Sequence, residues 1–151
     1  MADALVASQR NVGGRLGVAL REPVAWHDFV QLARTAEDTG YDTLFVPEGV
    51  AREAFSTLAA LAPVTSRIGL GTGVLPMPSR TSAITAMGAA TLHELSDGRL
   101  ILGIGAGHVR RLDAVREYVR EVRANTPQLP GPIAERATTP SRFRSPARSI
   151  R

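Results

Sequence analysis

The chain has 151 residues and a net charge of +4, with 44% hydrophobic and 21% charged residues. This is the composition of a globular domain, and it argues against a mainly disordered or fibrous chain. The absence of cysteine excludes disulfides, thiolate catalysis and cysteine-ligated zinc, and the three scattered histidines give no metal-ligand spacing, so we predict no metal site.

No apolar run approaches the ~20 residues that a membrane-spanning helix needs. The N-terminal sequence MADALVASQR also lacks the basic start and apolar block of a secretory signal. We therefore expect no membrane partner and a cytoplasmic location.

Charge and proline content divide the chain into two parts. Residues 1–123 balance 13 arginines against 13 acidic residues, whereas residues 124–151 hold five arginines, one glutamate and five of the ten prolines. The second part has too few large apolar residues to offset the entropy cost of ordering, so we predict a disordered basic tail over 124–151. Its arginines could contact phosphates, but it lacks interleaved aromatic residues for base stacking, and we do not expect nucleic acid as a partner.

After a short flexible N-terminus (1–14), β-rich runs alternate with longer amphipathic runs through residues 15–123. The predicted strands are Arg15–Leu20, Tyr41–Val46, Ile68–Val74 and Leu100–Ile104, and the predicted helices are Trp26–Gly40, Ala54–Val64, Thr81–Leu95 and Arg111–Arg123. The residues of the third helix expected to face the core are Ile84, Met87, Thr91 and Leu95. Four strand–helix units at this spacing are typical of a parallel sheet, in either a doubly wound fold or a (β/α) barrel.

Glycine is concentrated where two neighbouring predicted strands end, the edge at which α/β folds carry their chemistry. The third strand ends GTGVLP, with Gly73 and Val74, and the fourth ends GIGAGH, with Gly105, Gly107 and His108. Glycines here remove side chains from one surface, so that a flat ligand can lie against the backbone. For GIGAG alone, tight turns are the simpler explanation, because the run does not match the dinucleotide fingerprint.

Three longer segments are more specific than either glycine run. AEDTGYDTLFVPE (36–48), LAALAPVTSRIGLGTGVLPMPSRT (58–81) and AATLHELSDGRLILGIGAGH (89–108) closely resemble the luciferase-like monooxygenase family. The resemblance implies a TIM barrel and an oxidoreductase that uses reduced FMN or the deazaflavin coenzyme F-420 with a small organic substrate. It extends from Leu16 to His108 and, more loosely, to Arg123, which corresponds to the first four βα units of the barrel.

The resemblance also implies roles for residues at the strand ends. In many members, a non-prolyl cis peptide and bulge after the third strand press against the ring system, and here that bond is Gly73–Val74. Gly105 and Gly107 then line the cofactor beside them. Glu48 corresponds to an acid near the ring, although Gly49 stands where deazaflavin dehydrogenases often have histidine. His108 stands where several members place an acid, which makes it the nearest candidate for proton transfer.

For Glu48 and His108 the plainer alternatives are a rim carboxylate that accepts from loop N–H groups and an exposed loop histidine. Arg80 could meet a phosphate or carboxylate, but a rim salt bridge is its more ordinary role.

Because the resemblance ends near Arg123, we expect a truncated member of the family, and whether this chain alone is active stays open. An open four-strand sheet has unpaired edges, so a homodimer is a possible partner arrangement. Two alternatives to the oxidoreductase function stay open: a non-catalytic half-barrel that associates with itself, and an arginine-tail nucleic-acid binder.

Overall fold

A parallel sheet covered on one face by helices forms the centre of the molecule. The computed structural model describes residues 6–7, 16–21, 23–49, 52–108, 111–126 and 133–136. The strands are β1 (Val6–Ala7), β2 (Gly17–Ala19), β3 (Thr43–Val46), β4 (Gly69–Thr72), β5 (Leu75–Pro76), β6 (Leu100–Gly105) and β7 (Ile133–Arg136), and the α-helices are α1 (Trp26–Asp38), α2 (Ala54–Leu61), α3 (Ser82–Leu95) and α4 (Leu112–Asn125). None of the helices in these ranges is long and apolar enough to cross a membrane.

The order of the strands decides between the two folds that the spacing left open. β2, β3, β4 and β6 lie side by side in chain order and pair in parallel. In a doubly wound sheet the order of successive strands reverses at one point along the sheet. In a barrel, each strand lies beside the strand that precedes it in the chain. The architecture is therefore the first four βα units of a (β/α) barrel, as the family resemblance implies.

Within the predicted tail, the described residues are the end of α4 and one short strand. Helix α4 runs to Asn125, and Ile133–Arg136 form β7, which pairs in parallel with β6. Four consecutive backbone pairs, from Leu102–Ile133 to Gly105–Arg136, join this strand to β6. The arginines at positions 142, 144, 148 and 151, and most of the predicted flexible segment 1–14, lie outside the described residues.

The core lies between the sheet and the four helices. Alternate strand residues point to the helical side and are buried, among them Val18, Leu44, Leu70 and Ile104. From α1 and α4 the core takes Phe29, Ala33, Val115 and Val119.

The predicted inner face of α3 is wrong. Thr85, Ala86, Ala89 and Leu92 are buried, whereas Ile84, Met87 and Leu95 are exposed. Because α3 is apolar on almost every side, its spacing could not identify the core-facing stripe. The small residues face inward because they let the helix approach closely: a Cβ on Gly88 would lie 2.8 Å from the ring of Phe55 on α2.

Two charged side chains secure the amino end of the sheet, opposite the glycine-rich edge. The carboxylate of Glu37, at the end of α1, accepts hydrogen bonds from the backbone N–H groups of Arg67 (2.5 Å), Ile68 (2.8 Å) and Ser66 (2.9 Å). Its burial raises the pKa of Glu37, but these N–H groups outweigh that effect, so the pKa lies below its usual value.

Arg99, in the turn before β6, binds the segment after α2. Its guanidinium donates to the carbonyl oxygens of Ala62 (2.8 Å) and Ile68 (3.1 Å) and to the hydroxyl of Thr65 (2.9 Å). The segments TSRIGLG and SDGRL therefore contain residues whose hydrogen bonds join consecutive βα units.

Replacement of Glu37 by glutamine should destabilise the fold by about 1–3 kcal/mol, because an amide cannot accept from three N–H groups in place of the carboxylate. Urea denaturation measures this change. Glu121→Gln is the matched control: this glutamate is exposed on α4, and its change should stay within about 0.5 kcal/mol. Equal effects of the two substitutions would contradict the role assigned to Glu37.

Candidate functional site

The strand ending at Thr72 is interrupted by a change of backbone direction. The peptide bond between Gly73 and Val74 is cis, as the resemblance implies, and the chain then resumes as β5. β4 pairs with the beginning of β6 at Leu100 and Ile101, whereas β5 pairs with its end at Ile104 and Gly105. The predicted single strand Ile68–Val74 is thus two strands separated by a bulge.

The side chain of Thr72 joins the sheet across this interruption. Its hydroxyl donates to the carbonyl oxygen of Gly103 and accepts from the Gly103 N–H, both at 2.8 Å. A Cβ on Gly103 would overlap the Thr72 carbonyl oxygen, so only glycine allows this approach. β4 and β6 therefore stay paired up to the residue before the bulge.

The bulge brings three of the predicted cofactor residues together. A Cβ on Gly105 would lie 2.5 Å from Cγ2 of Val74, so Val74 packs directly on the backbone of β6. Gly107 has a φ of +60° and lies against Pro78, whose Cδ would be 3.1 Å from a Cβ at position 107. Gly73 and Gly107 are exposed and Val74 is half-buried. The result is a ledge in which Val74 lies on the buried Gly105, between the exposed backbone of Gly73 and Gly107. We call these four residues the glycine ledge.

Phe45 of β3 accounts for other glycines on the same face of the sheet. A Cβ would lie 2.5 Å from this ring at Gly71, and 2.9 Å from Phe45 at both Gly17 and Gly73. The Phe45 side chain thus fills the space beside these glycines, of which Gly17 lies on β2, Gly71 on β4 and Gly73 directly after β4. Gly17 and Gly71 therefore serve packing and offer no surface to a flat ligand. The signal for Phe45 in the sequence is one aromatic residue in register with glycine on the adjacent strand, which periodicity does not show.

Glu48 lies at the rim after β3, and its carboxylate is already engaged. It forms an ion pair with Arg80 (2.6 Å), accepts from the Ser79 hydroxyl (3.0 Å) and accepts from the N–H of Ala54 (3.3 Å). The Glu48 and Arg80 side chains are only 12% and 16% exposed. These contacts match the alternative of a rim carboxylate, and they show the salt bridge expected of Arg80.

Arg80 also pairs with Glu53 at 2.9 Å, which extends the network to the start of α2. Burial lowers the pKa of Arg80, but hydrogen bonds to Glu48 and Glu53 outweigh it and raise the pKa. For Glu53, partial burial raises the pKa, but hydrogen bonds from Ser56, the Phe55 N–H and Arg80 bring it down to about 2. Both carboxylates thus hold the arginine against the ring of Phe55, whose centroid is 5.3 Å from the guanidinium carbon.

Tyr118 of α4 reaches the same loop from the other side. Its hydroxyl donates to the carbonyl oxygen of Arg80 (3.0 Å) and lies 2.6 Å from the hydroxyl of Thr85. Partial burial raises the pKa of Tyr118, which therefore keeps its proton and remains a donor. The loop that carries Arg80 is fixed from two sides, by Glu48 and by α4.

A backbone hydrogen bond connects Glu48 to the glycine ledge, and His108 lies after the end of β6, next to Gly107. The Glu48 N–H donates to the Val74 carbonyl oxygen at 3.3 Å, while the Glu48 carboxylate turns toward Ser79 and Arg80. His108 lies exposed in the turn directly after Gly107. In the described ranges, no group of three or more histidine, aspartate or glutamate residues is placed to hold a metal ion.

Gly105→Ala should destabilise the protein by about 1–3 kcal/mol, because its methyl group would overlap Val74. Val74→Ala removes the overlapping carbon, so the two changes should be less than additive, with a coupling of at least about 0.5 kcal/mol. Urea denaturation of both single variants and the double variant measures this coupling. Strict additivity would mean that the two residues do not touch.

The low pKa of Glu53 predicts a pH-dependent contribution to stability. A group whose pKa falls from 4.5 to about 2 on folding stabilises the fold above about pH 4.5, and this contribution disappears as the pH falls toward 2. The stability difference between the natural protein and Glu53→Gln should therefore be larger near about pH 6 than near about pH 3. A difference independent of pH would contradict this assignment.

Comparison with known proteins gives one consistent result. The sequence profile of the luciferase-like monooxygenase family matches residues 8–124. A Mycobacterium tuberculosis protein described as a coenzyme F-420-dependent oxidoreductase is 40% identical over 94 residues, covering 62% of this chain and 26% of the relative. The 5,10-methylenetetrahydromethanopterin reductase of Methanolobus tindarius is 42% identical over 84 residues, covering 55% of this chain and 26% of the relative.

Among solved structures, the coenzyme F-420-dependent tetrahydromethanopterin reductase of Methanopyrus kandleri superimposes with a TM-score of 0.58 and 30% identity. The match covers 65% of this chain and 28% of that one. The chain thus spans about a quarter of the length of the curated relatives it matches. With the profile match extending over most of its residues, the chain belongs to the luciferase-like monooxygenase family.

Proposed function

We propose that this protein is an oxidoreductase that binds the ring of a reduced deazaflavin or flavin on the glycine ledge. The observation that carries the proposal is the ledge itself: the half-buried Val74 on the buried Gly105, with exposed backbone at Gly73 and Gly107, at the carboxyl end of two parallel strands. This is the edge at which barrel enzymes bind their ligands. Family membership supports a cofactor of this class.

The residues of the ledge fit a flat, partly apolar ring. Val74 fills the space beside Gly105 and Pro78 fills the space beside Gly107, so both glycines let an apolar side chain lie close against the backbone. Val74 supplies an apolar contact to one face of the ring, and Gly73 and Gly107 leave their backbone groups accessible at its edges. Relatives named as coenzyme F-420-dependent support the deazaflavin as the first candidate. Reduced FMN is the alternative.

A bound deazaflavin or flavin would supply hydride transfer to or from a small organic substrate. The chain's own contribution is to orient the ring and to handle protons. His108 lies next to the ledge and is exposed, so it is the side chain we propose for proton exchange with the substrate or ring. Glu48 is proposed as a positioning residue, because its backbone holds the Val74 carbonyl and its carboxylate holds the loop of Arg80.

Fluorescence titration of the purified protein with F-420 and, separately, with FMN tests the proposal. We expect saturable quenching by one of them with a micromolar dissociation constant. Val74→Asp should weaken this binding at least tenfold, or about 1.4 kcal/mol, because it places a charge against the ring. Val30→Asp is the matched control, since Val30 is a half-buried valine on α1, away from the strand ends.

The outcomes separate two claims. No binding of either cofactor by the natural protein at about 100 µM would reject the proposed function for this chain. If Val74→Asp and Val30→Asp change the binding equally, the protein still binds the cofactor, but the glycine ledge is rejected as its site.

A further inference from the structure

Trp26, the only tryptophan in the sequence, lies at the start of α1 and is 41% exposed. It precedes Phe29 by three residues, so the two side chains lie on the same face of α1. Phe29 is buried in the core, and the two rings stack with their centroids 5.8 Å apart. Trp26 therefore lies at the end of the core-facing side of α1, at the carboxyl edge of the sheet, where the loop after β2 leads into the helix.

Arg52, in the loop between β3 and α2, lies over both rings. Its guanidinium carbon is 4.8 Å from the centroid of the Phe29 ring and 5.7 Å from that of Trp26. One terminal nitrogen donates to the carbonyl oxygen of Val24 at 2.5 Å, which joins the loop after β2 to the loop after β3. We call Trp26, Phe29 and Arg52 the aromatic–arginine cluster.

These contacts leave part of the Arg52 guanidinium without a polar partner. Its Nε is buried and accepts no partner among the described residues, and no carboxylate of those residues lies within ion-pair distance of it. Arg80 in the neighbouring rim network differs, because Glu48 and Glu53 both pair with it. A half-buried guanidinium that lacks a carboxylate partner favours an anionic group from outside the chain.

The start of α1 does not require a tryptophan. Val24 and Phe29 stand immediately before the N-cap and at the fourth residue of the helix, two positions whose apolar side chains commonly pack together at a helix start. Arg52 also fixes the carbonyl group of Val24. The ring of Trp26 is thus an additional flat surface, and it lies at the edge where barrel enzymes bind their ligands.

We infer that the aromatic–arginine cluster binds an aromatic carboxylate, with the ligand's ring on Trp26 and its carboxylate paired with Arg52. An indole favours stacking with another flat ring, and a guanidinium binds a carboxylate through parallel N–H groups. A single guanidinium suits a single anionic group, whereas a nucleic acid or an anionic membrane surface is held by several cations. The inference names a substrate class for the oxidoreductase, and in that respect it rests on the proposed function.

The rim network connects the cluster to the glycine ledge. Arg52 directly precedes Glu53, whose carboxylate pairs with Arg80. Arg80 pairs in turn with Glu48, whose N–H donates to the carbonyl oxygen of Val74. The cluster follows β2 and β3 and the ledge follows β4 and β6, so both lie at the carboxyl edge of one sheet. A substrate held by the cluster would therefore lie at the same edge as the cofactor ring.

The single tryptophan allows a direct test, because the one indole N–H resonance in NMR spectra reports on the cluster. We expect benzoate to shift this resonance saturably, with a dissociation constant on the order of 1 mM. Benzamide has the flat ring without the charge, and cyclohexanecarboxylate has the charge without the flat ring. Each should bind at least about fivefold more weakly than benzoate.

Substitution of the arginine tests its part in binding. Arg52→Gln should weaken benzoate binding at least about fivefold, because it removes the charge that pairs with the carboxylate. Arg52→Lys keeps the charge and should bind benzoate more tightly than Arg52→Gln does. Arg116→Gln is the matched control: this arginine is exposed on α4, and its loss changes the net charge equally without touching the cluster. Circular dichroism confirms that each variant is folded.

An indole resonance that stays in place at about 20 mM benzoate would overturn the inference. So would equal binding of benzoate and benzamide, or equal weakening by Arg52→Gln and Arg116→Gln. The titrations with F-420 and FMN are separate from these measurements. Benzoate binding without binding of either cofactor would support the cluster as a site and reject the proposed function, whereas cofactor binding without benzoate binding would reject the cluster alone.

Discussion

The junction between β4 and β6 is the contact on which the candidate site depends. Thr72 uses its hydroxyl in place of a backbone pair and binds both polar groups of Gly103. This keeps the two strands together up to the residue before the chain turns at Gly73 and Val74. This bond fixes the chain before the bulge, and the pairing of Leu75 and Pro76 with Ile104 and Gly105 fixes the chain after it, so that Val74 packs on the β6 backbone. The glycine ledge is thus a product of sheet pairing as much as of the glycines themselves.

The two ends of the sheet have different tasks. At the amino end, Glu37 and Arg99 join consecutive units through hydrogen bonds from charged groups, which are stronger than neutral ones. At the carboxyl end, Glu48, Glu53 and Arg80 form a second ionic cluster, but it lies under an open surface. The sequence segments that resemble the family therefore combine two kinds of residue. Those at the amino end of the sheet stabilise the fold, and those at the carboxyl end form the candidate site.

Much of this arrangement could be predicted from the sequence. The strand and helix positions, the barrel units, the position of the cis bond and the meeting of Val74 with Gly105 followed from apolar spacing and from the family resemblance. The core-facing side of α3 could not be predicted. This helix is apolar on almost every side, so the spacing of its apolar residues does not single out one side. β7 was missed because its pairing with β6 is a backbone interaction that leaves little trace in composition.

The role of Phe45 was hidden for another reason. Its contacts with Gly17 on β2, Gly71 on β4 and Gly73 after β4 depend on register, which connects residues 26 to 28 positions apart and is not visible along the chain. Sequence patterns therefore do not distinguish glycines that make room for a ligand from glycines whose space the protein itself fills.

Methyl NMR of the valine side chains, with and without saturating cofactor, tests the central claim most directly. An aromatic ring lying on the glycine ledge should produce large shifts of the Val74 methyl resonances and leave those of Val30 and Val122 nearly unchanged, because these two valines lie on the helical side of the molecule. A cofactor that binds and shifts other valines while leaving Val74 unchanged would contradict the account.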